Sequence, residues 1–324
     1  MRSDIKILTF SILAAAVSST LCMGLWYNLF HIPLLVLIFG LFVSSPLLII
    51  TFTFGIKVGI FSIAITTLFL SCSLSKITAL LLTMFFLAPS VFLAWLITLF
   101  QFNQEKNIVN WYPLSPALFQ LILVISGTTI AIMLYSLSSA EAIRSMNEII
   151  ARFLNSLQES NLYPSNDQNL IEHTIHHNFL PIISSTLPAY SFLCHLSNIY
   201  FSSRIASQLK VLQRPRDDWP IALRMPPCAF FIFISSWIFN PWIHNNTLIL
   251  CLSVISSALS VAFMSSGIAL IHQITRGYPW RLPILVLLYI GLFTVVLIPF
   301  LVLCLIICGL FATPFSKNYN NKIL

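Results

Sequence analysis

Residues 282–311 read LPILVLLYIGLFTVVLIPFLVLCLIICGLF, with no charged side chain. Whole helical turns are apolar. The strands of an outer-membrane barrel would alternate apolar and polar residues, so this run excludes a barrel. A helix crosses the hydrocarbon layer with about 20 apolar residues. The run is longer than that, so it must tilt or bend, and Pro299 marks a bend.

The rest of the chain repeats the theme. Hydrophobic residues make up 58% of the 324 and charged ones 8%. A soluble domain is roughly a quarter charged, so the polar surface here is too small to enclose such a core in water. Disorder is excluded by the same apolar and aromatic wealth. Apolar runs at 7–24, 32–54, 58–72, 78–101, 114–137, 181–203, 226–242, 247–272 and 283–311 predict crossings. The expected fold is therefore an all-α polytopic transmembrane helical bundle of about eight spans, within seven to nine. In 32–54, Pro46 follows Ser44-Ser45, which predicts two half-length pieces or one kinked helix. A single integral membrane domain covers 1–324, with a polar amphipathic insertion at 138–180 and a basic loop at 204–225.

Lys and Arg accumulate on the cytoplasmic side of membranes. With the N-terminus inside, the inner segments carry Arg2, Lys6, Lys57, Lys106, Arg204, Lys210, Arg214, Arg216, Arg224, Arg276 and Arg281. The outer ones carry Lys76, Arg144, Arg152, Lys317 and Lys322. The expectation is a multi-pass protein of a bacterial inner (cytoplasmic) membrane with a cytoplasmic N-terminus. Arg2, Lys6 and Ala14-Ala15-Ala16 resemble a signal peptide, but the apolar core continues to Met23, which favours an uncleaved first helix. The net charge of +7 fits this charge bias. No Gly-rich phosphate loop and no long basic cluster point to nucleotide or nucleic acid. The expected partners are the lipid bilayer and a membrane or cytosolic protein, and no cofactor is expected.

The polar segments offer few reactive groups. In 138–180, Ile143, Met146, Ile150, Phe153 and Leu157 form one apolar stripe on a helix. Such a helix can lie in the interface, fold over the bundle as a lid, or pack on its neighbours. His173 and His177 stand four apart and could share a metal, but no set of four ligands accompanies them, and no metal is expected. The loop 204–225 holds Asp217-Asp218 beside Arg214 and Arg216, an arrangement that keeps the carboxylates ionised. That loop is either an anchor with local ion pairs or a docking surface in which Arg214 and Arg216 meet a partner. The seven cysteines fall in or beside spans without a CxxC pair, as buried small apolar residues do.

Ionisable groups at membrane depth are often functional, and here they are few. His195 and Asn198, at i and i+3, share a face of the sixth span. His272 closes the eighth. These three are the candidate ligand-binding residues; the competing reading is hydrogen bonding between helices. No carboxylate sits mid-span, which argues against a proton pump with a carboxylate relay. No convergent catalytic set is visible, so an enzyme is not expected.

Four stretches carry a family resemblance: Trp111-Tyr112-Pro113, Asn198-Ile199-Tyr200, the Arg214-Pro215 loop, and FMSSGIALIHQITRGYPWRLPILVLLYIGL at 263–292. Their order and spacing resemble the YybS-like family of bacterial integral membrane proteins, in its alphaproteobacterial form, along most of the chain. The end departs from that pattern: an acidic residue and a terminal arginine usual after the last Gly-Leu are replaced by ATPFSKN. The family brings no established activity. Its members are distantly similar in fold to the substrate-binding membrane subunits of energy-coupling-factor vitamin transporters, where small residues of the first helices contact a partner subunit. The resemblance implies Ala14 and Ser18 as the corresponding contacts here. Three functions are thus in view: a transport-associated, solute-binding membrane component, a scaffold or assembly factor docking a cytosolic partner, and an intramembrane enzyme.

Overall fold

The structure, a computed structural model, describes residues 2–29, 32–103, 108–139, 168–294 and 296–320, with scattered positions between 143 and 154. Thirteen α-helices organise the described residues. They are α1 (Arg2–Tyr27), α2 (Pro33–Phe42), α3 (Ser45–Phe54), α4 (Ile56–Ser73), α5 (Lys76–Leu82), α6 (Ala88–Thr98), α7 (Leu114–Ser138), α8 (Gln168–Gln208), α9 (Trp219–Ala222), α10 (Pro227–Phe239), α11 (Asn246–Ile274), α12 (Arg281–Phe293) and α13 (Ile298–Asn320). A π-helical turn, Thr83–Leu87, joins α5 to α6. A small antiparallel hairpin pairs Phe100–Asn103 with Ile108–Trp111. Seven helical stretches are long and apolar enough to cross a membrane. The chain is a polytopic α-helical membrane protein.

Local chemistry explains the element ends. Asn245 caps α11, its side chain accepting from the Thr247 and Leu248 N–H groups. Ser75 caps α5 through the Thr78 N–H. Gly55, at φ +90, supplies the left-handed backbone that turns α3 into α4, a conformation other residues rarely adopt. Pro46 lies in the first turn of α3, and Pro89 in that of α6. Each removes a backbone donor from what would otherwise be one continuous span.

Two apolar cores flank α8. One gathers Leu48, Leu93, Leu118, Ile122, Phe192, Ile199 and Phe263. The other gathers Leu25, Val43, Leu47, Leu70, Phe85, Leu87 and Cys194. Outward-facing Leu13, Ile60, Leu68 and Phe231 are exposed, as lipid-facing positions are in a bundle with no water around its middle. With 41 residues, α8 runs about 60 Å, longer than a bilayer is thick.

Two expected crossings take another form. The seventh, 226–242, is a helix of only 13 residues, about 20 Å long. It still has to climb the bundle. Asp218 bonds Arg276 and Arg224 bonds Gln273 at one end of α11, whereas α11 begins at the other end. The segment 227–245 joins those two ends. The stretch 282–311 is not one crossing: the chain breaks between Phe293 and Ile298, just ahead of Pro299. At the crossing of α13 over α11, Gly267 faces the Leu305 carbonyl and Gly309 faces the Phe263 carbonyl. That register is antiparallel, so α13 starts at the end where α11 finishes. Both ends of α12 therefore lie at that same end, and α12 runs along it instead of through the bundle. Of the expected stripe in the polar insertion, Ile150 is buried and Ile143 exposed. Met146, Phe153, Leu157 and the turn around Pro164 lie outside the described residues.

Candidate functional site

Prolines inside two spans open their backbones, and α8 closes them. In a continuous helix the Ser44 N–H would bond the Gly40 carbonyl. Ahead of Pro46 that bond is missing, and the Asn198 side chain is inserted in its place. Asn198 Oδ1 accepts from Ser44 N at 3.0 Å, and Nδ2 donates to the Gly40 carbonyl at 2.9 Å. The amide thus substitutes for one rung of the helical ladder. Its remaining capacity is also used: Oδ1 accepts from Ser45 Oγ at 3.0 Å, and Nδ2 donates to the Cys194 carbonyl at 2.7 Å. Asn198 is fully buried.

His195 repairs the second break. The helical partner of the Phe85 carbonyl would be the N–H of residue 89, and Pro89 has none. His195 Nε2 lies 2.8 Å from that carbonyl, and the Ser191 hydroxyl donates to it at 3.0 Å. A carbonyl only accepts, so Nε2 carries the proton. In the neutral ring Nδ1 is then the acceptor. Ser90 Oγ lies 2.6 Å from it and 2.9 Å from the Phe86 carbonyl, so the one hydroxyl proton is shared between these two acceptors. The neighbouring Phe86 carbonyl accepts from the Ser44 hydroxyl at 2.6 Å. Ser44 therefore joins the α2–α3 break to the π turn, and Tyr190 adds a bond to the Val36 carbonyl at 2.7 Å. The result is a buried polar network where two interrupted spans meet one face of α8.

Ser90 and His195 have the separation of a nucleophile and its base. The third partner is a backbone carbonyl, not a carboxylate, and both side chains are about 1% exposed. In this geometry the pair braces helices.

Of the three expected ligand-binding residues, the structure unites His195 and Asn198 in one network. His272 stands apart, its Nε2 lying 2.9 Å from the Tyr289 hydroxyl. Ala14 and Ser18 are buried on the face of α1 that packs into this chain's own bundle. Arg214 is buried as well, and its guanidinium is engaged within the chain. Nη1 donates to the Ile97 carbonyl at 2.9 Å and the Tyr112 carbonyl at 2.6 Å, and Nη2 pairs with Asp217 at 2.8 Å. It ties the last carbonyls of α6 to the start of α7 and leaves Arg216 as the exposed arginine of the pair. Asp218 forms two bonds with Arg276, at 2.6 and 2.8 Å. The Arg276 guanidinium, through those bonds, holds the Asp218 carboxyl below its ordinary range.

The side chains of His173 and His177 lie outside the described residues. Among the described residues, no three His, Cys, Asp or Glu side chains are placed to hold a metal ion.

Sequence reasoning missed Ser90, Ser191 and Tyr190 as members of the network. Pro89-Ser90 inside an apolar run is the signal that was available, because a proline there must free a carbonyl four residues back. No family, curated protein or solved structure matches the chain in any of three comparisons.

Proposed function

We propose that this chain is a transport-associated component of a bacterial cytoplasmic membrane that binds a small polar solute in the network around Asn198 and His195. The observation that carries the reading is the meeting of two broken spans at one polar face. Backbone interrupted at membrane depth is tolerated only where protein buries it or a cavity needs it, and discontinuous helices of this kind form solute sites in transporters. The bonds that Asn198 and His195 make to freed backbone groups are those a polar solute would exchange for. The resemblance to the YybS-like family, and through it to vitamin-transporter binding subunits, supports the same reading. With no carboxylate among the spans, energy for transport would come from a partner.

The charge distribution supports a cytoplasmic position for the end that bears the 204–225 loop. Lys57, Arg204, Lys210, Arg216, Arg276 and Arg281 belong to helix ends or loops there, and Lys76 and Arg144 to the other end. The N-terminus of α1 then lies on the cytoplasmic side. A scaffold docking a cytosolic protein through this loop would have the exposed Arg204, Lys210 and Arg216 to use, since Arg214 is spent inside the fold.

The test is native mass spectrometry of the purified protein for retained small molecules, followed by thermal-shift titration of any compound released. The expected result is a polar solute whose stabilising effect disappears in Asn198→Ala and His195→Ala. Absence of any retained solute, or equal stabilisation of wild type and both variants, would overturn the reading.

A further inference from the structure

Two arginines of the same loop are buried, and they differ in one respect. Arg214 has the Asp217 carboxylate at 2.8 Å. Arg224, 5% exposed, hydrogen-bonds only neutral groups among the described residues. Its Nη1 donates to the Leu223 carbonyl and, at 3.2 Å, to the Ser266 carbonyl, and its Nη2 donates to the Gln273 amide oxygen. Nε–H and the second Nη2–H make no hydrogen bond among the described residues. No carboxylate there pairs with it, and burial works against its charged form. The other acid of this loop, Asp218, is held by Arg276. The hydroxyl of Ser266 is also buried without a partner among the described residues.

A guanidinium stays protonated in proteins, and a buried charge without a counter-ion is strongly unfavourable. Among the described residues, one buried cation of the loop has its acid and the second has none, which calls for an anion at the second. The depth of the site narrows the chemistry. Arg224 reaches α11 between Ser266 and Gln273, within about two turns of the helix end. Trp219, Tyr278 and Trp280 occur in the segments at that same end, and aromatic residues of this kind concentrate at the level of lipid headgroups. Arg281 and His272 add positive or proton-bearing groups near the same helix end.

We propose that Arg224, with Gln273 and Ser266 beside it, binds a phosphate group. The planar fork suits phosphate oxygens through the two free N–H donors. The shared chemistry has two sources, the phosphate of an anionic lipid headgroup or soluble inorganic phosphate, and this site is separate from the Asn198–His195 network.

Full-length protein, delipidated in a non-ionic detergent, is titrated with phosphatidylglycerol in one arm and with inorganic phosphate in the other. Binding is read by ³¹P NMR and by thermal shift. A response to phosphatidylglycerol alone identifies the lipid headgroup, and a response to inorganic phosphate identifies the soluble anion. In either case Arg224→Gln weakens the response about tenfold or more, and Arg216→Gln, on the exposed arginine, leaves it unchanged. If Arg224→Gln fails to fold, Arg224→Lys takes its place. It keeps the charge and loses the fork, and the same direction of loss is expected. No ³¹P or thermal response of wild type to either titrant, or equal responses of wild type and the Arg224 variant, overturns the proposal.

Discussion

Replacing Asn198 by alanine removes the amide that bridges the break between α2 and α3. Its bonds to the Ser45 hydroxyl and the Cys194 carbonyl cost little to lose, because the hydroxyl can rotate and the carbonyl belongs to an intact helix. Among the described residues, the Ser44 N–H and the Gly40 carbonyl are paired by the Asn198 amide and by no other side chain. Two orphaned buried backbone groups at about 1–3 kcal/mol each give a loss of about 2–6 kcal/mol. Side-chain hydrogen bonds within membranes average about 0.6 kcal/mol, because the unfolded chain finds other partners there, which puts the floor near about 1 kcal/mol. The cause of the break provides the control. In a Pro46→Ala background the ring clash is gone, so α2 and α3 can join and Ser44 N–H can reach the Gly40 carbonyl directly. The Asn198→Ala penalty should then fall by at least about half. Reversible unfolding in mixed dodecylmaltoside–SDS micelles, followed by circular dichroism for the four proteins of the cycle, measures the coupling. A penalty below about 0.5 kcal/mol, or the same penalty in both backgrounds, would refute the view that Asn198 replaces a helical rung, since independent sites add within that margin.

Gly267→Ala would place its Cβ 2.0 Å from the Leu305 carbonyl oxygen; the same micelle titration should show a loss of about 3 kcal/mol or more. Gly127→Ala, on an open face of α7 with nothing within 4 Å, should be neutral or stabilising by up to about 1 kcal/mol. The folded-state pKa of Asp218 is depressed by Arg276. Its contribution is therefore present above the ordinary carboxylate value of about 3.9 and is lost as pH falls through the lower folded value. Thermal melts across that acid range should show this small dependence in wild type and not in Arg276→Ala. Arg214→Ala leaves Asp217 without its cation and the Ile97 and Tyr112 carbonyls without a donor, so limited trypsin digestion should cut faster after Lys210 and Arg216.

Where the spans lie was legible from composition, because about 20 apolar residues in a row leave the chain few alternatives to crossing lipid. Pro46 after Ser44-Ser45 also announced an interruption, as two half-length pieces or one kink. The stretch 282–311 misled for a physical reason: hydropathy measures how well a segment tolerates lipid, not its direction. A helix lying along the bundle end and a helix crossing it can be equally apolar. The resulting division depends on Gly267 and Gly309, whose missing side chains let α13 dock on α11 in one register. The reading of 204–225 as an anchor with local ion pairs is met by Arg214–Asp217 and Asp218–Arg276; the carbonyls that Arg214 and Arg224 reach belong to other segments and were not legible.

The candidate site divides along the same line. That His195 and Asn198 share a face follows from a spacing of three. What they touch does not, because their partners are backbone atoms of other spans. Yet the sequence constrains the answer once the prolines are considered. Each mid-span proline strips a carbonyl or displaces an N–H about one turn upstream, and in lipid no water can repair the loss. A third helix must supply the repair, with a group that can accept and donate at Gly40–Ser44 and a donor at Phe85. Asparagine meets the first requirement and histidine the second. Separated by three residues, they stand about 4.5 Å apart along α8, so the two breaks are held at nearly the same height in the bundle. The pair therefore sets the vertical register of three spans at once. Displacing Asn198 would free the α2–α3 break from α8, and displacing His195 would free the break ahead of α6.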